Sequence, residues 1–229
     1  MKIFTNKNVL ITGHTGFKGS WLSIWLAHLG ANVIGISDNE ISNPSNFSAS
    51  KISSVIKDNR LDIRNANAVK ALVQDIKPDF IFHLAAQALV RPSYENPLET
   101  MTTNAIGTAN VLDAIRTLDK KVVAVMITSD KAYDNVEWVW GYRETDRLGG
   151  KDPYSASKGM AELAIRSYVE SFFNSSNSNI RVGVARAGNV IGGGDWAVDR
   201  IVPDCMEAWA KGKTVNIRSP HATRPWQHV

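Results

Sequence analysis

The hydrophobic pattern of the chain alternates between short apolar runs and longer stretches with helical spacing. The runs are rich in valine and isoleucine, which is typical of strands buried in a parallel sheet. They occupy residues 8–12, 32–36, 79–83, 122–128 and 181–185. Between them, helical periodicity predicts helices over residues 17–29, 65–76, 97–118 and 154–173. This alternation predicts an α/β fold, a Rossmann-type doubly wound parallel sheet with helices on both faces.

The regularity of this pattern changes along the chain. Residues 37–54 are polar and contain a proline, so we expect a long loop there. After Ala187 the glycines and tryptophans cluster and the alternation loosens. We therefore predict a dinucleotide-binding domain over residues 1–186 and the start of a smaller substrate-binding domain over residues 187–229. The last letters, PWQHV, resemble the beginning of a strand, so we expect a C-terminally truncated chain.

Composition and charge narrow the class of protein. The chain has 229 residues, of which 44% are hydrophobic and 21% charged, and its net charge is +4. Its basic residues are scattered, whereas a nucleic-acid binder concentrates them on one stripe. The single cysteine cannot form an internal disulfide, which indicates a cytoplasmic setting. No apolar run approaches the ~18 residues of a membrane span, and we expect neither a signal peptide nor a metal site.

A glycine-rich turn follows the first predicted strand and opens the first predicted helix. Gly13, Gly16 and Gly19 form G-x-x-G-x-x-G, whose glycines let the backbone approach a pyrophosphate while the helix N-terminus supplies N–H groups. The turn therefore predicts a dinucleotide site. With the glycines, the cofactor contacts expected from this turn are Thr15, Phe17 and Lys18.

Two carboxylates are candidates for the adenosine half of the cofactor. Asp38 follows the second strand and either bonds the ribose hydroxyls or merely starts the polar loop. Ser37 leaves room for a 2′-phosphate, so NAD is preferred over NADP without excluding it. Asp62 and Ile63 follow a third strand and either contact the adenine or cap the helix that starts at Asn65.

Tyr154 and Lys158 lie four residues apart in YSASK, on one face of a predicted helix. A lysine ammonium favours the phenolate, so we expect the tyrosine pKa to fall toward neutrality. The phenolate then accepts a proton from a substrate alcohol while hydride leaves the same carbon. Ser129, just beyond the strand predicted over residues 122–128, is placed to hold the same alcohol.

The glycine-rich turn, Ser129, Tyr154 and Lys158 together resemble the extended short-chain dehydrogenase/reductase superfamily, over essentially the whole chain. HLAAQ and TNAIGT resemble its segments beside the nicotinamide, and RAGN and RPW resemble those that hold a sugar nucleotide diphosphate. The resemblance implies NAD, a nucleotide-sugar substrate and a homodimer or homotetramer. The further cofactor contacts that it implies are Leu84, Ala85, Ala86, Gln87, Asn104, Tyr154 and Lys158. The substrate contacts that it implies are Gln87, Ser129, Asn189, Arg200, Arg218 and Arg224.

Asp130 and Lys131 distinguish branches of the superfamily, because 4,6-dehydratases carry an acid-base pair here and epimerases do not. With GGKDPYSASK and RAGNVIGGGDW, the pair resembles the dehydratases that act on CDP-glucose. The resemblance implies an internal hydride cycle, with Asp130 as the acid at C6 and Lys131 as the base at C5 or a fixed cation. It also implies deoxysugar biosynthesis for lipopolysaccharide O-antigen. Two alternatives stay open: another nucleotide-sugar dehydratase or epimerase, and a cofactor-binding fragment without turnover.

Overall fold

The centre of the fold is a parallel six-stranded sheet. The computed structural model describes residues 2–217 and 219–229. The sheet order is β3-β2-β1-β4-β5-β6, and all five strand pairs are parallel. The strands are β1 Asn8–Thr12, β2 Asn32–Ser37, β3 Lys57–Arg60, β4 Phe80–His83, β5 Val122–Ser129 and β6 Ile180–Ala187. The strand order reverses between β1 and β4, which is where such sheets bind ligands. The predicted fold class is confirmed.

Helices connect the strands as the periodicity predicts. They are α1 Phe17–His28, α2 Asn46–Ser50, α3 Ala66–Ile76, α4 Val90–Glu95, α5 Pro97–Met101, α6 Gly107–Arg116, α7 Pro153–Tyr168 and α8 Ile201–Ala210. Two predicted helices contain a π-helical turn: Thr102–Ile106 joins α5 to α6, and Val169–Phe173 extends α7. The predicted helix over residues 97–118 is therefore continuous, with an α-helical start, a π-helical turn and a second α-helical part.

The segment between β2 and β3 differs from the prediction. The polar stretch over residues 37–54 is not a plain loop, because α2 begins where the Ser45 side chain accepts a hydrogen bond from the backbone N–H of Ser48. The strand that follows, KDNR, is absent from the apolar runs because it lies at the sheet edge, where polar side chains remain solvated.

Opposite faces of the sheet bury different side chains, as strand pleating requires. Val9 and Ile11 of β1 pack with Leu26 of α1, whereas Leu10 belongs to a larger cluster with side chains of α3, α6 and α7. The run in β6 was expected to be buried, but Val184 is 44% exposed. This prediction was wrong because none of the described helices covers that face of the sheet edge.

After β6 the chain leaves the main sheet. β7 Asn189–Ile191 pairs in parallel with β8 Trp226–His228, and α8 lies between them in sequence. Within the described ranges, every helix is too short or too polar to cross a bilayer.

Candidate active site

The glycine-rich turn joins β1 to α1 and has the close packing that its glycines permit. Gly13 has φ +75°, and its N–H donates to the Ile36 carbonyl at 2.7 Å. A Cβ on Gly19 would lie 2.0 Å from the Gly13 carbonyl oxygen, so only glycine fits there. Gly16 is the N-cap of α1 and provides no side-chain cap to the first-turn N–H groups. The turn thus presents a helix N-terminus suited to an anion.

One pocket runs from this turn along the carboxyl ends of β1, β2 and β4. Of the fourteen residues outside α7 that are predicted to bind the cofactor, thirteen line this pocket and Asn104 does not. Arg200, a predicted substrate contact, lines it as well. These thirteen are Gly13, Thr15, Gly16, Phe17, Lys18, Gly19, Asp38, Asp62, Ile63, Leu84, Ala85, Ala86 and Gln87. A dinucleotide fits this pocket because the glycine cradle has no space for a Cβ and the lining combines N–H donors with a lysine.

At the end of β2, a hydroxyl network shapes the part of the pocket predicted for the ribose. Thr15 Oγ1 lies 2.7 Å from Ser37 Oγ and donates to the Asn39 carbonyl at 2.6 Å. Asp38 is exposed, lines the pocket and accepts a hydrogen bond from the Asn39 N–H at 2.8 Å. Its carboxylate is therefore positioned by its own turn and faces open space.

After β3, Asp62 is held by Arg64. The carboxylate accepts hydrogen bonds from the Arg64 backbone N–H at 2.8 Å and from Nε at 2.7 Å. The side-chain hydrogen bond from Arg64 lowers the pKa of Asp62. The alternative in which Asp62 caps the next helix is wrong, because Asn65 is the N-cap and accepts from the Ala68 N–H.

Tyr154 and Lys158 are both buried on α7, which starts at Pro153 behind the N-cap Asp152. The Lys158 ammonium lies 5.9 Å from the centroid of the Tyr154 ring. The Ser129 side chain lies close enough to the Tyr154 phenol to act on its pKa. Burial raises the pKa of Tyr154, while Ser129 acts in the opposite direction. The expected fall of the Tyr154 pKa is therefore wrong for the chain alone, since loss of hydration disfavours the phenolate more than Ser129 favours it.

Several cations converge between the glycine-rich turn and α7. Burial, and next the charge of Lys18, lower the pKa of Lys158 to about 8. Burial and then the charge of Arg200 lower the pKa of Lys18. Arg200 in turn donates to Asp195 at 2.9 Å. Lys18 and Arg200 line the pocket, and their positive charge there favours an anionic ligand.

The Lys158 ammonium makes folding stability depend on pH. Because its folded pKa is about 8 against 10.5 for the ordinary side chain, the folded state binds fewer protons between these values. We expect the burial penalty to be complete below about pH 8 and to disappear as the pH rises to 10.5. In urea unfolding, the stability of the parent relative to Lys158→Met should rise across this window, by less than about 1.4 kcal/mol per pH unit. A difference independent of pH contradicts this expectation.

Ser129, Asp130 and Lys131 lie together at the end of β5. Ser129 caps a short 3₁₀ turn, Asp130–Ala132, by accepting from the Lys131 N–H at 3.2 Å. Its hydroxyl donates to Asp130 Oδ1 at 3.0 Å. Ser129 also acts on the pKa of the buried Tyr154 phenol, so the predicted acid-base pair follows directly after a residue that lies near this phenol.

Other predicted residues lie away from the pocket lining. Asn104 is buried and donates to the Gln87 carbonyl and to Ser157 Oγ, so it ties the β4 end to α7. Asn189 starts β7 and Arg224 donates to the neighbouring Thr223 carbonyl, and neither lines the pocket. Arg218 lies outside the described residues.

Some pocket residues were not among those predicted from the sequence. Arg64, Glu99 and Thr103 line the pocket, and Arg64 donates to Glu99 at 3.0 Å across it. Asp195 of the GGGDW stretch holds Arg200. The R that follows LDI was a detectable signal for Arg64, whereas Glu99 reaches the pocket only because α5 packs there.

The parallel sheet, the glycine-rich turn and the Tyr154–Lys158 helix define a Rossmann-type protein of the dehydratase and epimerase class. The sequence profile of the family described as GDP-mannose 4,6 dehydratase matches residues 10–229. The chain belongs to this family. Membership agrees with the predicted resemblance to nucleotide-sugar 4,6-dehydratases.

One curated relative is similar to this chain over nearly its whole length. The CDP-glucose 4,6-dehydratase of Salmonella typhimurium is 49% identical over 97% of this chain and 63% of its own length. The chain thus spans less than two thirds of that relative.

Solved structures support the fold. DesIV, the dTDP-glucose 4,6-dehydratase of Streptomyces venezuelae with NAD and TYD bound, superposes with TM-score 0.81 at 23% identity, over 96% of this chain and 68% of its own. The UDP-glucuronic acid 4-epimerase of Bacillus cereus, in complex with UDP-glucuronic acid and NAD, gives 0.80 at 24%, over 96% and 69%.

Proposed function

We propose that the protein is an NAD-dependent CDP-glucose 4,6-dehydratase, a hydro-lyase that converts CDP-glucose to CDP-4-keto-6-deoxyglucose and water. The observation that carries this proposal is the contact between Ser129 and the Tyr154 phenol, with Asp130 and Lys131 directly after Ser129. An acid-base pair beside a redox pair is what oxidation followed by elimination requires. The 49% identity to the Salmonella enzyme supports CDP-glucose as the substrate.

NAD is the proposed cofactor because solved proteins of this fold contain it and because the glycine cradle has the shape for a pyrophosphate. The glycine-rich turn and Lys18 would hold the pyrophosphate, Asp38 the ribose, and Asp62 with Ile63 the adenine. When bound, NAD supplies an acceptor for the hydride from sugar C4 and returns that hydride to C6.

The proposed first half of the reaction uses three side chains. The Tyr154 phenolate accepts the proton of the sugar 4-hydroxyl. As C4 loses its hydrogen as hydride, the C4–O single bond becomes the double bond of a ketone. Ser129 donates to the same oxygen and orients it. The Lys158 ammonium, 5.9 Å from the centroid of the Tyr154 ring, would favour the phenolate electrostatically and so oppose the effect of burial.

The proposed second half is an elimination. The new ketone acidifies the C5 hydrogen, and Lys131 accepts this proton as the electron pair forms the C5–C6 double bond. Asp130 donates a proton to the departing C6 hydroxyl, and water leaves. After reduction at C6, C5 is reprotonated, so the product is the 4-keto-6-deoxy sugar.

Separate incubations test the substrate. The protein with NAD is incubated with CDP-glucose, dTDP-glucose, UDP-glucose or GDP-mannose, and loss of water is followed by mass spectrometry. We expect water loss from CDP-glucose above the other three. Interconversion of hexoses without mass change would establish an epimerase instead. NAD binding by calorimetry without binding of any sugar nucleotide would establish a cofactor-binding fragment.

We also propose the setting in which this activity operates. A cytoplasmic location is supported by the lone Cys205, and a homodimer or homotetramer by exposed apolar side chains such as Leu163 of α7. Residues 187–229 are proposed to begin a substrate-binding domain after the cofactor domain of residues 1–186. The 4-keto-6-deoxy product suits deoxysugar biosynthesis for O-antigen.

A further inference from the structure

A buried carboxylate lies on the same face of α7 as the predicted catalytic pair. Tyr154, Lys158 and Glu162 follow one another at four-residue intervals, which aligns them along the helix. The Glu162 side chain is only 5% exposed. A buried carboxylate is costly unless it is paired and hydrogen-bonded, so its partners indicate what it holds.

The partners of Glu162 come from the ends of two adjacent strands. Arg186 of β6 donates from Nε to Oε1 at 2.8 Å and from NH2 to Oε2 at 3.0 Å, which is a bidentate pair. Thr128 of β5 donates from Oγ1 to Oε1 at 2.5 Å. Thr128 and Arg186 are paired in the sheet register. One carboxylate therefore ties the ends of β5 and β6 to α7.

Arg186 extends the same connection to the segment after Lys131. Its guanidinium carbon lies 4.6 Å from the centroid of the Tyr133 ring, and NH1 donates to the Glu144 carbonyl at 3.2 Å. The hydrogen bond with Glu162 raises the pKa of Arg186, so the guanidinium remains charged. Although the RAGN stretch resembles a diphosphate-binding segment, the Arg186 guanidinium is occupied by protein groups.

The residues on either side of these contacts are those of the proposed chemistry. Thr128 directly precedes Ser129, and Tyr133 follows the turn that contains Asp130 and Lys131. Glu162 thus holds both ends of the Ser129–Lys131 segment, one directly and one through Arg186. A bidentate pair fixes orientation as well as distance, which a packed apolar contact does not.

We infer that Glu162 is a positioning residue, which acts through Thr128 and Arg186 to fix Ser129, Asp130 and Lys131 relative to the Tyr154 phenol. This inference rests on the proposed function for its effect on turnover. The alignment of Ser129 with Tyr154, however, does not depend on which sugar nucleotide is the substrate.

Thr128→Val tests the inference, because valine keeps the shape of threonine and removes only the donor to Glu162. Thr117→Val is the matched control: Thr117 also donates its hydroxyl to an oxygen, the Ala114 carbonyl, but it lies at the C-terminal end of α6, away from Ser129 in sequence. We expect Thr128→Val to lower kcat about tenfold at unchanged KM, since slight misplacement of reacting groups is costly. The control should keep the parental kcat.

A second measurement separates positioning from the identity of the substrate. In protein labelled with ¹³C at the hydroxyl-bearing tyrosine carbon, the Tyr154 resonance is assigned by its loss in Tyr154→Phe. It should shift in Thr128→Val and not in Thr117→Val, because the position of Ser129 relative to the phenol changes. Should Thr128→Val fail to fold, Arg186→Lys, which keeps the charge and loses the bidentate fork, takes its place.

The two failures are distinguishable. An unmoved Tyr154 resonance in the folded variant overturns the positioning role, even if CDP-glucose is dehydrated. A shifted resonance in a protein that dehydrates no sugar nucleotide supports the positioning of Ser129 and refutes only the proposed function.

Discussion

Tyr154→Phe is expected to lower kcat for the proposed dehydration of CDP-glucose by about 10²- to 10⁴-fold, the usual range for losing a general base. Phenylalanine keeps the ring beside the Lys158 ammonium and removes only the hydroxyl that Ser129 contacts. NAD affinity should change little, since phenylalanine keeps the ring and the predicted cofactor contacts that line the pocket are unaltered.

Mass spectrometry of the product and calorimetry with NAD check this expectation. Tyr94→Phe is the matched control, because Tyr94 of α4 is 64% exposed and the same atom is removed. If Tyr154→Phe dehydrates CDP-glucose at the rate of the control, the phenol is not the base at the 4-hydroxyl. A large loss of NAD affinity would instead give Tyr154 a role in binding.

The sequence predicts those parts of the fold whose structure depends on neighbouring residues in the chain. β1, the glycine-rich turn and α1 follow from an apolar run, glycines that accept no Cβ and a regular helical spacing. β3 could not be predicted in the same way, because an edge strand of sequence KDNR carries no apolar signal. Its position depends on pairing with β2, a contact between residues distant in sequence.

The site shows the same division. The spacing of Tyr154 and Lys158 was sufficient to place them on one helix face, but not to give the direction of the Tyr154 pKa, which depends on burial by other elements. The segment RAGN resembles a diphosphate-binding stretch, yet Arg186 pairs with Glu162, twenty-four residues away. Such partners are set by the packing of α7 against β5 and β6, which no local pattern encodes.

Burial also explains why the cofactor pocket and the proposed chemistry depend on one another. Lys18 lines the pocket, and its charge contributes to lowering the pKa of Lys158. An anionic pyrophosphate beside Lys18 would offset that charge and favour the Lys158 ammonium, which in turn favours the Tyr154 phenolate. In this arrangement, binding of the cofactor prepares the base that the first step requires.

Lys131→Met is expected to reduce exchange of the substrate C5 hydrogen with solvent by about 10²-fold or more, together with water loss. Lys131 lies directly after the Asp130 carboxylate in the turn that Ser129 caps, so methionine removes the amine without removing the cap. Exchange in deuterated water is read by mass spectrometry of the recovered sugar nucleotide. Lys121→Met is the control, since Lys121 is exposed just before the other end of the same strand.

A further substitution distinguishes the two roles open to Lys131. Arginine keeps the positive charge but cannot be deprotonated in a protein, so Lys131→Arg cannot act as a base. If Lys131 accepts the C5 proton, Lys131→Arg should be as defective in exchange as Lys131→Met. If Lys131 instead stabilises the enolate as a fixed cation, Lys131→Arg should restore much of the exchange. Exchange at the parental rate in Lys131→Met would exclude both roles and leave the C5 proton to another group.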